Sequence, residues 1–348
     1  MQRRLITAFI VAFFTLAAHA QVPQTASVSD AAAVVQTPFE VARDLANKGR
    51  LDKALEQLDQ LSTQTPEPAG VERLRGIIFY QKEKLREAIE AFTKATEQDP
   101  NDRESTEMLG VSLFRTGHSP EALPYLEKAH ATVVNANIDP EYVLGLCYSD
   151  VKRYDDARHA FATQYGFAPD SAEAYLLAAR LFLRREFVNE AVTQAHMALQ
   201  LNAALPLAHQ LLGEALLAKG DTPGAIQELE AERKINPLSG TLYDRLGDAY
   251  LRNEQYTEAQ QALNRAVLLE PGSTAPYILL GQTFLKLNQA VQALHYLDHA
   301  AKMDPSNYIT HNLLGQAYKA TGQMAEANRE FKLVVELQHS ETPKPAGK

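Results

Sequence analysis

Alanine recurs along this chain with a period too long for one helix and well suited to a pair of helices. Ala54, Ala88, Ala122, Ala157, Ala191, Ala225, Ala259, Ala293 and Ala327 are spaced by 34 residues, with a single 35 between Ala122 and Ala157. Twelve residues before each alanine stands one of the two smallest residues: Ala42, Gly76, Gly110, Gly145, Ala179, Gly213, Gly247, Gly281 or Gly315. Three residues after that small position comes a bulky one, from Leu45 and Phe79 to Phe284 and Tyr318. Four residues after each column alanine comes a second large position, from Leu58 and Phe92 to Leu297 and Phe331, with Ala195 as its small member. Residues three and four apart share one face of a helix, so each unit carries two apolar stripes and is a helical hairpin.

Turn residues support that reading. Gly49, Gly117, Gly220 and Gly322 share one register between the stripes, where a helix can end left-handed without a Cβ clash. Pro66, Pro100, Pro169, Pro237, Pro271 and Pro305 follow the column alanine at a fixed offset of twelve and should stop the second helix. Small residues on both helices are expected to let the backbones approach, with the bulky positions filling the space beside the contact.

The pattern resembles the tetratricopeptide repeat, with its 34-residue period and its small, large, Ala, aromatic and Pro positions. In one copy the matching residues are Tyr243, Leu246, Gly247, Tyr250, Ala259, Leu263, Ala266 and Pro271. The resemblance implies an all-α chain, a right-handed α-solenoid of about nine hairpins at 35–68, 69–102, 103–137, 138–171, 172–205, 206–239, 240–273, 274–307 and 308–341. This sequence departs from the family in places. It has no Trp, and Tyr243, Tyr277 or His311 takes the first-helix Trp position. Val134, Ala203 and His339 replace the closing proline, and the extra residue near "VVNANIDPEY" suggests a longer bend, with Asp139 as N-cap and Pro140 in the next first turn.

Family resemblance also says where a partner would sit, because first helices of this family line a concave groove that binds peptides or helices. The floor register matching Leu251 holds Ala46, Tyr80, Phe114, Ser149, Leu183, Leu217, Leu251, Leu285 and Lys319. Edge registers matching Asp244 and Asp248 supply Arg43, Arg73, Glu107, Tyr142, Arg180, Gln210, Glu214, Asn312 and Gln316. The leucines either form an open floor or pack between neighbouring first helices; both readings stand at this point. A carboxylate clamp of the chaperone-binding subclass is not expected, since its Asn registers hold Leu74, Met108, Leu177, Leu211, Leu279 and Leu313.

The ends carry separate information. "MQRRLITAFIVAFFTLAAHA" has Arg3 and Arg4, an uncharged apolar run from Leu5 to Ala18, and small residues before Ala20, the layout of a secretory signal. The run is 14 residues, short of the roughly 17–25 of a spanning helix, so cleavage after Ala20 is expected over a retained anchor. Residues 21–34 read as a flexible leader and "HSETPKPAGK", from His339, as a tail, with the array ending near 341. Without a polar cap on the last hairpin, Val335 and Leu337 are expected to be exposed or to meet a partner.

Composition narrows the chemistry. A net charge of -9 with no basic run argues against a nucleic-acid partner. The one cysteine, Cys147, falls in a packed register and suits an oxidising compartment. His295 and His299 stand four apart in "HYLDH" but lack the adjacent Glu of a metalloprotease helix and a third ligand. Asp155 and Asp156 read as helix N-terminal charge. No catalytic residue, cofactor or metal is expected. The reading is an exported scaffold, periplasmic or secreted, that touches membranes only indirectly. It would bind a protein or peptide through Tyr80, Phe114, Tyr142, Arg180, Leu183, Leu217, Asp244, Asp248, Leu251 and Leu285. The alternative is a self-assembling module that forms homo-oligomers through its last hairpin.

Overall fold

The computed structural model describes residues 36–130 and 140–341. The expectations for the signal segment, the leader, the bend through Asp139 and residues 342–348 lie outside the described residues. Eighteen α-helices and no strand occur among those described, so the chain is all-α. None of these helices is long and apolar enough to cross a membrane.

The described residues up to Pro68 form one compact unit, holding α1 (Pro38–Asn47) and α2 (Leu51–Ser62). A capping box starts α1: the Thr37 hydroxyl accepts from the Glu40 N–H at 3.2 Å and Glu40 accepts from the Thr37 N–H at 2.7 Å. Ala42, Ala54 and Leu58 are fully buried in this hairpin.

The described residues from Ala69 onward form the second unit. Its helices are α3 (Val71–Gln81), α4 (Leu85–Gln98), α5 (Arg103–Arg115), α6 (Ser119–His130), α7 (Pro140–Asp150), α8 (Tyr154–Tyr165), α9 (Ala172–Arg184) and α10 (Val188–Leu201). They continue with α11 (Ala208–Lys219), α12 (Thr222–Ile235), α13 (Gly240–Arg252), α14 (Tyr256–Leu269), α15 (Thr274–Lys286), α16 (Ala290–Met303), α17 (Tyr308–Ala320) and α18 (Met324–Glu341). Each odd-numbered helix packs on the next, and α5 also touches α3 and α7, while α9, α11, α13, α15 and α17 touch in succession.

Inside a hairpin, the small column sits under the large one. A Cβ on Gly76 would lie 2.6 Å from the Phe92 ring, and on Gly110 or Gly213 it would lie 2.7 Å from Leu126 or Leu229. The close approach is therefore made by a large side chain of the second helix lying over bare glycine backbone, and the column alanine contributes its carbonyl, 3.3 Å away for Ala122. This refines the expected small-on-small contact. The α9–α10 hairpin solves the same problem with two small residues, Ala179 and Ala195, both fully buried.

The turn between paired helices is left-handed in every hairpin. The register of Gly49, Gly117, Gly220 and Gly322 holds Glu83, Lys152, Glu186, Glu254 and Asn288 elsewhere, and all five have φ between 59° and 65°. Helix geometry, not glycine, fixes this turn.

Four of the six closing prolines act as expected, whereas ahead of Pro66 and Pro169 the helix has already stopped, at Ser62 and, before the left-handed Gly166, at Tyr165. Pro100, Pro237, Pro271 and Pro305 each follow the last helical residue by two. Where Ala203 stands instead, α10 still ends at Leu201, because the Asn202 side chain accepts from the Ala204 N–H at 3.1 Å and so competes with the helical bond. At His339 nothing removes a donor, and α18 continues to Glu341, past the start expected for the tail. The first-helix aromatic register makes one recurrent bond: Tyr243 and Tyr277 donate to the carbonyls of Pro237 and Pro271 at 3.3 and 3.2 Å. Ring nitrogens of His209 and His311 meet the carbonyls of Ala203 and Pro305 at 3.3 and 3.0 Å.

Between hairpins, Tyr148 and Tyr250 donate to Glu127 and Glu230 of the preceding second helix at 2.9 and 2.8 Å. Cys147 is fully buried, and burial pushes its thiol up to about 12.

Candidate functional site

First helices of the second unit owe their position to their starts. Asp102, Ser171 and Ser239 cap α5, α9 and α13 by accepting from the N–H three residues on. At α11 the N-cap is Leu207, which has no capping side chain and a left-handed φ of 67°. Glu232 on α12, with no exposed surface, supplies the missing acceptor: its carboxylate takes the N–H of Leu207 at 3.0 Å and that of Gln210 at 3.4 Å. The side-chain amide of Asn236 adds a third bond at 3.0 Å.

Between α9 and α11 this arrangement leaves a cavity of about 310 Å³ lined by Arg180, Leu183, Arg184, Leu207, Gln210, Leu211 and Glu214. That is near the lower end of the roughly 300–1,000 Å³ typical of ligand sites. Leu183, Leu207 and Leu211 give it an apolar lining. On one wall Glu214 accepts from the Gln210 amide at 3.0 Å and from Arg245 of α13 at 3.3 Å. Gln210 Oε1 is buried without a partner.

The residues expected to face a partner divide into two groups. Leu217 and Leu251 are buried, packed among first helices, while Leu183 and Leu285 are half-buried. Tyr80, Phe114 and Tyr142 are half-buried against the main apolar cluster; the Arg115 guanidinium lies 4.8 Å over the Tyr80 ring, and Tyr142 sits 5.8 Å from Phe161. Arg180 is exposed. Asp248 is held by Arg252 one turn later, at 2.9 Å. Asp244 is mostly buried, with Oδ1 unpartnered and Oδ2 at 3.9 Å from Arg245. Burial pushes its carboxyl above the ordinary range, and burial does the same to Glu107 in the equivalent register of α5. Arg180 and Leu183 thus meet at one cavity with Gln210 and Glu214, whereas Asp244 and Asp248 of α13 are not part of its lining.

Elsewhere, His295 and His299 are exposed on α16, their rings 5.2 Å from Tyr296 and 4.4 Å from Tyr277. Among the described residues no three His, Cys, Asp or Glu side chains gather where a metal ion could be held. Val335 is 52% exposed on α18.

With the stacked hairpins and their shared registers in view, two family models described as tetratricopeptide repeat are informative. One matches residues 240–273 and the other residues 176–240 and 278–337. Residues 176–337 are tetratricopeptide repeats. Residues 14–182 also match a model described as the N-terminal domain of EccA1, a protein of the T7SS, ESX-1 secretion system. Among solved structures, MamA from Desulfovibrio magneticus RS-1 is 25% identical, covering 50% of this chain and 98% of that one at a TM-score of 0.47. YrrB, described as a TPR protein with an unusual peptide-binding site, is 20% identical, covering 53% and 95% at 0.46. The Cut9–Hcn1 assembly of the APC/C is 17% identical, covering 83% and 57% at 0.48. No curated protein sequence matches the chain.

Sequence reasoning missed Arg184, Leu207 and Leu211 as cavity residues of this tetratricopeptide-repeat protein. Arg184 was within reach: it occupies the register of Arg252, and the register of Asp248 beside it holds Arg180. Leu207 carried no signal, because its conformation depends on a glutamate 25 residues away.

Proposed function

We propose that the chain is an exported, non-catalytic interaction scaffold that binds a peptide segment of another protein along the first-helix face of α9, α11 and α13. The observation that carries this reading is the cavity between α9 and α11, where apolar side chains stand beside Gln210 Oε1, a buried acceptor with no partner among the described residues. Buried acceptors left unpaired are costly, by about 1–3 kcal/mol each, and a peptide backbone supplies the donors they lack. Leu183 on that face and Leu285 on the adjoining α15 remain half-buried, with Leu217 and Leu251 buried between them in the same register. Export rests on residues 1–20, and a place beside protein secretion or envelope assembly is supported by the match of residues 14–182 to a secretion-system domain.

A photo-crosslinking residue placed at Leu183 or Leu285, with His196 and Gln261 on second helices as controls, tests the face in intact cells. Adducts of defined mass from the first-helix positions alone are expected; equal adducts from the controls would remove the assignment. Mass spectrometry of the chain purified from those cells should show Gln21 as its first residue. A chain that keeps Met1 and stays in the membrane fraction would contradict export by cleavage.

A further inference from the structure

We infer that the α9–α11 cavity recognises an acidic residue next to an apolar one in an extended peptide, with Arg180 and Arg184 as the acid-binding pair. This rests on the groove reading above and names the chemistry it selects.

Charge pairing distinguishes this place from the rest of the face. Arg73, Arg75, Arg115, Arg245 and Arg252, on other first helices of the same unit, each lie against a carboxylate. Arg180 and Arg184 have no partner among the described residues, although they stand four apart on one helix wall, where like charges oppose each other. The equivalent pair on α13 is Asp248 and Arg252, joined at 2.9 Å. At α9 the acid of that pair is replaced by a second guanidinium. The one carboxylate in the cavity lining, Glu214, is committed to Arg245 at 3.3 Å. A carboxylate from outside completes the site: guanidinium groups bind carboxylates through paired N–H donors, and two of them line this cavity beside apolar side chains.

The rest of the lining fixes what must accompany the acid. Leu183, Leu207 and Leu211 offer an apolar surface next to the arginines, and Gln210 Oε1 is a buried acceptor awaiting a backbone N–H. Leu207 also holds a left-handed φ of 67° outside the repeated turn register. A bulky residue in that conformation is strained, and the fully buried Glu232 keeps it there through the Leu207 N–H. The strained residue is the one that projects the Leu207 side chain to the cavity. A nucleic acid is disfavoured, because two arginines in a chain of net charge -9 offer no track for a phosphate backbone.

The test is panning of a phage-displayed library of random dodecapeptides on the full chain and on the Arg180→Gln/Arg184→Gln double variant, both checked by circular dichroism. On the wild type, Asp or Glu within two positions of Leu, Ile, Phe or Met is expected to be enriched. The double variant should lose the acidic preference and keep the apolar one, and should bind a selected peptide at least about tenfold more weakly. Enrichment of neutral or basic sequences on the wild type would overturn the inference while leaving the groove reading intact. Absence of any enrichment would overturn both. Inorganic phosphate that elutes the phage as well as the free peptide does would replace the peptide site by a bare anion site.

Discussion

The α9–α10 and α13–α14 hairpins occupy the same registers two repeats apart and differ at nearly every position that is not a packing requirement. In α13–α14 the helices meet through Gly247 under Leu263; in α9–α10 the same two places hold Ala179 and Ala195. On the partner face, α13 closes its charges internally through Asp248 and Arg252, whereas α9 presents Arg180 and Arg184 with no partner among the described residues. The interior tolerates compensated exchanges of size, and the face tolerates exchanges of charge that leave a site unfinished. Packing explains what repeats, and the departures on the first-helix face are what recognition has to work with.

The largest effect expected from breaking this comparison lies in the interior. Gly247→Val forces a branched side chain into the space of Leu263 and should cost about 3 kcal/mol in chemical unfolding. Ala195→Leu should cost about 1–3 kcal/mol by crowding Ala179, and adding Ala179→Gly should recover much of it, because the double change rebuilds the glycine-under-leucine contact. Additive costs in that cycle would show that the two hairpins do not share one packing rule.

Next comes the face. Arg180→Asp gives α9 the acid–arginine pair of α13, so affinity for an acidic–apolar peptide should fall at least tenfold, about 1.4 kcal/mol. Folding stability should rise by only about 0.3–0.5 kcal/mol. Titration calorimetry beside thermal unfolding separates the two; unchanged affinity would mean that the arginines are solvent-facing only.

Both hairpins share a strained turn, and there they should respond alike. Glu186 and Glu254 have φ of 65° and 61°, so replacing either by Gly should stabilise by about 1 kcal/mol. A loss at either site would indicate a side-chain contact that outweighs the backbone.

The smallest effect is electrostatic. Asp244 on α13 corresponds to Leu176 on α9, and burial lifts its carboxyl above the ordinary 3.8. The native state therefore keeps this proton to higher pH than the unfolded chain does. Its favourable contribution is complete below pH 3.8 and is lost as pH rises through the raised native value. Asp244→Asn should accordingly be more stable than wild type at neutral pH, with the difference vanishing at the acid end. A constant difference across pH would place the effect elsewhere.

Much of this was legible before the structure. The alanine, glycine and proline registers specify which residues meet inside a hairpin, because those contacts recur at fixed offsets along one chain segment. The pairing of Glu214 with Arg245 and the capping of α11 by Glu232 were not legible. They depend on side-chain reach between elements, which no periodicity records. The same limit applied to the leucine stripe: spacing gave Leu183, Leu217, Leu251 and Leu285 one register, and only the packing of neighbouring first helices shows that the middle two are buried.

Hydrogen–deuterium exchange of the full chain with and without a selected peptide tests the central claim most directly. Added protection concentrated in α9 and α11, around Arg180 to Arg184 and Leu207 to Glu214, is the predicted result. Protection confined to the second helices α10 and α12, or absent from α9, would contradict it.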